Sequence, residues 1–398
     1  MMKICVITGT RAEYGLLKPL MARLNRDKDI ILQLIVTGMH LSPEFGYTYQ
    51  EIQQDGFEIN EYVEIILSSD TAVGTSKAMG LGLISLSEAY VRLKPDMLVI
   101  LGDRFEMLSA AIAALNCHVP IAHIHGGETT EGALDEAYRH AITKMSYLHF
   151  TSTEVYRRRV IQLGEGPDRV FNVGAIAMDA IVNMKYLSEE ELKKTLGVDF
   201  KGATVLFTFH PATLEEGETE LQMENILNAL DTFPELQIIF TKANSDMQGR
   251  RINYLIDQYV AENQHRAVIF SSLGQRNYLS CMKYCSAVIG NSSSGIIEAP
   301  ALHIPTVDIG DRQKGRVKAE SVIHCLPEKE SIIGAMRKAL SKEFLAAADK
   351  AANPYGSSGV SEKIHLTIKQ YIAENKIDRK KKFYDIKFLE SEEWDALH

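Results

Sequence analysis

The sequence predicts an α/β protein of two doubly wound, Rossmann-like domains, each built on a parallel sheet. Three observations carry that prediction. Short, continuously apolar runs alternate with amphipathic helical periodicity along the chain, the pattern of strands covered on both faces. The pattern recurs on either side of a charged stretch at residues 187–202. The length, 398 residues, exceeds one ordinary core and suits two domains of roughly 150–200 residues.

Taken in order, the expected strands of the first half are 3–8, 31–37, 97–101, 120–124, 147–151 and 169–173. Those of the second half are 204–209, 237–241, 267–271, 286–290 and 305–309. Helical periodicity lies between most of them, as at 106–116, 219–231 and 276–285. The first strand runs into GTRAEYG, residues 9–15, a strand–loop–helix junction. A dinucleotide-binding chain carries three glycines there; this one carries Arg11 and Glu13. Gly80-Leu81-Gly82 imitates that fingerprint, but no strand precedes it, so it reads as a helix with glycines for close packing. The break falls near 180–200, which gives residues 1–182 and 183–365, with a less regular tail at 366–398. The basic run Arg379–Lys382 reads as a solvated end.

Bulk properties narrow the function. A net charge of −9 and a pI near 5.8 argue against a nucleic-acid partner. No apolar run reaches the ~18 residues of a membrane span, and the N-terminus enters a strand without a signal-peptide pattern. Five scattered cysteines read as reduced thiols. A cytoplasmic protein with no membrane partner is the expectation. Cys281 and Cys285 suit a buried helix face better than a zinc site.

In doubly wound sheets, ligands sit beyond the carboxyl ends of the strands. Here those ends are dense in polar groups, which suggests a cleft between the domains. In GNSSSGIIEAP, residues 290–300, Ser292, Ser293 and Ser294 form either a phosphate cradle at a helix N-terminus or a plain cap. Glu298, one turn on, either accepts from ribose hydroxyls or faces solvent. Arg11 and Arg316 are candidate partners of a diphosphate, since a guanidinium offers a bidentate fork. The alternatives are a salt bridge for Arg11 and a solvated basic loop for Arg316. Asp103, in GDRFE, either caps the next helix or serves as a site carboxylate. His123 and His125 alternate onto one side of a strand end, followed by Glu128. A metal there is the weaker reading, because Arg11 and Arg104 crowd the same rim. Glu136 is a second acid or a solvated helix residue, and His210 a site or loop histidine. Asn244 and His40 lie on further strand-end loops.

Seven motifs in order, GTRAEYG, GDRFE, HIHGGE, DEAYRHAITKMS, FHP, GNSSSG and IGDRQKGR, resemble the hydrolysing UDP-N-acetylglucosamine 2-epimerases of bacterial sialic-acid-type pathways. Non-hydrolysing relatives typically carry proline at the position of Ala12. The resemblance implies a glycosyltransferase-B-like arrangement with the active site in the inter-domain cleft and a C-terminal helix and tail, 366–398, returning to the N-terminal domain. It implies conversion of UDP-N-acetylglucosamine and water to N-acetylmannosamine and UDP, without cofactor or metal, by elimination to a 2-acetamidoglucal and rehydration. UDP-diacetylbacillosamine is the alternative substrate, and a glycosyltransferase of the same fold the alternative activity. Carried over by motif, Arg11, Ser292–Ser294, Glu298 and Arg316 hold UDP, with Asn244 added from its loop. Asp103, Glu128, Glu136 and His210 surround the sugar, with Arg104, His40 and His125 in second rank. Asp103 or Glu128 is the expected base and Glu136 its partner. A homodimer or homotetramer is the implied assembly.

Overall fold

A computed structural model describes residues 1–67, 71–130, 134–200, 202–211, 219–243, 247–378 and 380–386. The first half runs β1 (Met2–Thr8), α1 (Arg11–Arg26), β2 (Ile30–Thr37), α2 (Tyr49–Gln54), β3 (Glu61–Val63), α3 (Ala72–Leu93), β4 (Met97–Leu101) and α4 (Phe105–Asn116). It continues β5 (Ile121–Ile124), α5 (Asp135–Met145), β6 (Leu148–Thr151), α6 (Glu154–Gln162), β7 (Val170–Asn172), α7 (Ala177–Asn183) and α8 (Glu189–Leu196). The second half runs β8 (Thr204–Thr208), α9 (Thr219–Leu230), β9 (Gln237–Thr241), α10 (Met247–Glu262), β10 (Ala267–Phe270), α11 (Gly274–Tyr284), β11 (Ala287–Gly290) and α12 (Ser293–Ala301). It ends β12 (Thr306–Ile309), β13 (Val322–Cys325), α13 (Lys329–Ala339), α14 (Lys342–Ala348) and α15 (Val360–Ala373).

Among the described residues there are two sheets, ordered β3-β2-β1-β4-β5-β6-β7 and β10-β9-β8-β11-β12-β13. Their strand pairs are parallel. Both orders are doubly wound and reverse direction once, between β1 and β4 and between β8 and β11. Those reversals open crevices at the strand ends, where ligands bind in such sheets. The inner strands are apolar on both faces; β4 is buried along its whole length.

Two strands escaped the sequence pattern. β3 has three residues, two of them not buried, and β13 is a four-residue strand that buries only Cys325. Both are edge strands, where one exposed side removes the continuous apolar run. The glycine-rich imitation of a dinucleotide motif is helical. Gly82 packs on α4, where a Cβ would lie 3.2 Å from Ser109 Cβ, whereas Gly80 has open space.

The charged 187–202 stretch contains α8, which buries Leu192, and the Leu187 N–H donates to Ser280 Oγ of α11 at 3.0 Å. α15 returns to the first half and packs on α1. Lys369 and His365 reach Asp27, each at 2.8 Å. Asp179 of α7 caps its start, accepting N–H bonds from Gly359, Val360 and Ser361 at 2.6, 3.2 and 2.5 Å. The basic run at 379–382 is not simply solvated. Lys381 binds the fully buried Glu165 at 2.7 Å and the carbonyls of Lys144 and Ser146, while Arg379 lies outside the described residues. No helix among the described residues is long and apolar enough to cross a membrane.

Candidate active site

The opening loop is only Gly9 and Thr10, because α1 starts at Arg11. Thr10 and Glu13 form a capping box: Thr10 Oγ1 accepts from the Glu13 N–H, and Glu13 Oε2 accepts from the N–H groups of Gly9 and Thr10 at 2.8 and 3.2 Å. Glu13 therefore shapes the loop. Burial, with Glu106 beside it, pushes its carboxyl up to about 7. Glu106 itself is fully buried beneath the loop. Its Oε1 takes the Arg104 Nε–H at 2.6 Å, and its Oε2 has no partner among the described residues. A Cβ on Gly9 would meet Glu106 Oε1 at 2.7 Å, which explains the bare glycine. Arg104 is thus held from behind, and burial of its charge is outweighed by Glu106 and Glu13.

Arg139, one turn into α5 and 2% exposed, organises the acids. Its Nη1 donates to the Glu128 carbonyl at 2.9 Å and to Glu136 Oε2 at 2.8 Å; its Nη2 donates to Thr130 Oγ1 at 2.7 Å and to Asp103 Oδ2. Burial, with Arg316 nearby, pulls the guanidinium down to about 9, while ion pairs tie it to Asp103 and Glu136. Asp103 does not cap α4, whose N-cap is Arg104. Glu136 is not a solvated helix residue. It also takes the Thr130 N–H, Thr129 Oγ1 and His140, and these bonds outweigh burial and hold it below the ordinary carboxylate range.

Glu128 is buried between three neighbours. Ser152 Oγ donates at 2.7 Å, His125 Nδ1 lies at 3.4 Å and Arg316 Nη1 at 3.3 Å. The Ile176 N–H donates to His125 Nε2 at 3.2 Å, so the imidazole proton sits on Nδ1, toward Glu128. His125 adopts a left-handed backbone at φ 67°, uncommon for a residue with a Cβ. Burial lowers its pKa.

In the second half, His210 follows β8. Burial, and Arg312 nearby, lower its imidazole to about 3, and its buried Nδ1 has no partner among the described residues. The side chain of Asn291, after β11, pairs with the His210 backbone in both directions at 2.7 Å. The Asn291 carbonyl accepts from Arg312 at 2.9 Å and Gln313 at 2.8 Å. α12 begins at Ser293 with Ser292 as its cap, so the predicted serine-capped helix start is present. Glu298 is half-buried one turn on. Burial raises its carboxyl, and a hydrogen bond from Ser294 opposes the shift.

The structure gathers Asp103, Glu128 and Glu136 around Arg139, and sets Ser292–Ser294, Glu298 and His210 at the second crevice. Three expected site residues are engaged by partners within the protein. Arg11 does not present a free fork: Glu51 engages it at 2.9 and 3.0 Å, with Ser272 Oγ at 3.4 Å across the halves. Arg316 is neither a free phosphate partner nor a solvated loop residue. It crosses to the first half, donating to the Thr129 carbonyl at 2.9 Å and approaching Glu128, because that loop offers both a carbonyl and a carboxylate. His40 is fully buried, its Nε2 on Thr8 at 3.1 Å and its Nδ1 on Thr48 at 2.8 Å, so it braces the β1 and β2 ends. Asn244 lies outside the described residues.

Sequence reasoning passed over Arg139, Arg312, Glu106, Asn291 and Asp135. All five stand inside quoted motifs, and Asp135 immediately precedes Glu136. Asp135 is half-buried; burial raises its carboxyl, against the pull of Arg104 and Arg312. It therefore faces cations from both halves.

A family model described as UDP-N-acetylglucosamine 2-epimerase matches residues 22–369. The chain is 46% identical to a GDP/UDP-N,N'-diacetylbacillosamine 2-epimerase (hydrolyzing) of Campylobacter jejuni, over 86% of this chain and 88% of that one. It is 38% identical to polysialic acid biosynthesis protein P7 of Escherichia coli, over 97% and 98% of the two chains. In fold it is similar to the UDP-GlcNAc 2-epimerase of Neisseria meningitidis, crystallised with UDP-GlcNAc, at a TM-score of 0.81 and 19% identity, over 93% of this chain and all of that one. The chain, with its two doubly wound sheets and its arginine-centred acid cluster, belongs to the UDP-N-acetylglucosamine 2-epimerase family.

Proposed function

We propose that the protein is a hydrolysing nucleotide-sugar 2-epimerase that takes UDP-N,N'-diacetylbacillosamine in preference to UDP-N-acetylglucosamine, releasing UDP and the free 2-epimer. The observation that carries the reading is the pairing of two kinds of strand end. Carboxylates cluster around Arg139 on one half, and the α12 N-terminus, His210 and Arg312 gather on the other. The 46% identity to a hydrolysing diacetylbacillosamine epimerase moves the substrate from the plain acetamido sugar to the diacetamido one.

In this reading residues 1–182 carry the sugar side and 183–365 the UDP side. The C2 proton is only weakly acidic, so C1–O cleavage runs ahead of its removal and positive charge builds on the ring. The carboxyl groups of Asp103, Glu128 and Glu136 stabilise that charge. The diphosphate leaves with the bonding electrons toward the α12 N–H groups, Ser293, Ser294, His210 and Arg312. Glu298 receives the ribose hydroxyls.

A base must be ionised and reachable. Asp103 is 22% exposed and paired with Arg139, whereas Glu128 is 4% exposed and enclosed by its neighbours, so Asp103 takes the C2 proton. Glu136 spends both oxygens on Arg139, Thr129, Thr130 and His140. Asp135, its carboxyl raised by burial, is better placed to return a proton to C2 from the other face, which leaves positive charge at C1 for water to capture with loss of its own proton. UDP release by the purified protein, measured side by side with the two UDP-sugars, tests the substrate. A kcat/KM favouring UDP-N-acetylglucosamine would reverse the choice, and no release from either would remove the enzyme reading.

A further inference from the structure

We infer that Asn291 is a positioning residue that aims the His210 imidazole by clamping its backbone. The clamp is visible atom by atom. Asn291 Oδ1 accepts the His210 N–H at 2.7 Å, and Asn291 Nδ2 donates to the His210 carbonyl at 2.7 Å. A primary amide thereby forms a cyclic pair with one peptide unit on each side of His210, fixing the loop in both rotation and height.

The clamp is itself held. Asn291 is 3% exposed, and its N–H donates to the Thr208 carbonyl at 3.1 Å, two residues before His210. Its own carbonyl accepts from Arg312 and from the buried Gln313. Three strand ends, those of β8, β11 and β12, thus meet on one residue at the reversal point of the second sheet. Gly290, just before it, adopts φ 133°, and a Cβ there would stand 1.9 Å from the Thr208 carbonyl oxygen. The close approach that makes the clamp possible therefore requires glycine.

The side chain being aimed has something left to give. Among the described residues His210 Nδ1 is buried without a partner, and the loop places it beside Arg312. An unpaired buried nitrogen costs free energy unless a ligand completes it. Both amide heteroatoms of Asn291 bond to the His210 backbone, so Asn291 acts through His210 and not on the ligand.

This inference rests on the proposed site, and a double-mutant cycle separates the two. Asn291→Ala, His210→Ala and the double variant are assayed for kcat/KM by UDP release, with unfolding followed in parallel. Asn291→Ala removes the clamp and leaves the carbonyl that holds Arg312 and Gln313. We expect a loss of roughly 10- to 100-fold, the scale of a misplaced functional group. In the His210→Ala background the same substitution should cost less than about 3-fold, the scale of ordinary additivity error. Equal losses in both backgrounds, or none in either, would overturn the inference while the enzyme reading stands. The second readout is the NMR titration of the His210 ring. It should stay neutral down to about pH 3 in the parent protein and move toward the ordinary histidine range in Asn291→Ala. An unmoved titration overturns the inference. A moved one, in a protein that turns over no UDP-sugar, sustains it and sinks the functional reading. If Asn291→Ala is too unstable to assay, Asn291→Asp, which keeps the acceptor and loses the donor, goes through the same cycle with the same expectation.

Discussion

Replacing Arg139 with methionine keeps most of the side-chain volume and removes the charge. The structure sets the magnitude. A guanidinium 2% exposed donates to Glu136, Thr130, Asp103 and the Glu128 carbonyl. Charged hydrogen bonds contribute about 1.5–3 kcal/mol each, but their sum overstates the net effect because burying the arginine also has a cost. The better guide is the loss on breaking a buried ion pair from one side, about 3–5 kcal/mol, since Asp103 and Glu136 both lose the cation they share. For a domain of this size that lowers Tm by roughly 6–20 °C. Turnover falls with it, because two carboxylates then repel where one cation aligned them; we expect more than about 100-fold in kcat/KM. Arg139→Lys restores charge with one donor arm and should recover stability more than turnover. Thermal unfolding and UDP release on the same samples decide it. An Arg139→Met protein with parental Tm and turnover would refute the view that this arginine organises the site.

Two further predictions follow from individual carboxylates. Asp135→Asn should lower turnover by about 100-fold or more while UDP affinity, read by calorimetry, stays within about 3-fold. Because burial raises the Asp135 carboxyl, an acid role also makes the parent rate fall as pH rises through that raised pKa, a limb the variant should lack. Glu165, buried with His149, Lys381 and Lys144 around it, is held down at about 2 despite its burial. A depressed carboxyl adds stability that is full above its unfolded pKa and lost as pH falls through the folded one. Acid titration should therefore destabilise the protein between roughly pH 4.5 and 2, and Glu165→Gln should flatten that window. An unchanged acid profile would mean that this cluster does not govern the tail's docking.

The fold was largely legible because inner strands of a covered parallel sheet are apolar on both sides. β1, β4, β8 and β11 stand out for that reason. β3 and β13 did not, because an edge strand loses one covered side. The strand-end rule also found the motifs holding the site, but partner choice within them was illegible. Arg11 and Arg316 looked like phosphate forks, yet Glu51 lies 40 residues from Arg11 and Thr129 lies 187 from Arg316, and no spacing announces such pairs. Arg139 and Asn291 were passed over for a related reason. An arginine inside a helix and an asparagine before serines look ordinary until the fold shows how deeply each is buried. Asp135 and Glu136 are neighbours of one charge type, and only the third dimension shows which is consumed by hydrogen bonds.

The central claim is elimination followed by hydration, and NMR of the reaction in deuterated water tests it most directly. With UDP-N,N'-diacetylbacillosamine, and more slowly with UDP-N-acetylglucosamine, the account predicts UDP and a free 2-epimer carrying deuterium at C2. A released sugar with its original configuration and protium at C2 would mean simple glycosidic hydrolysis and contradict it.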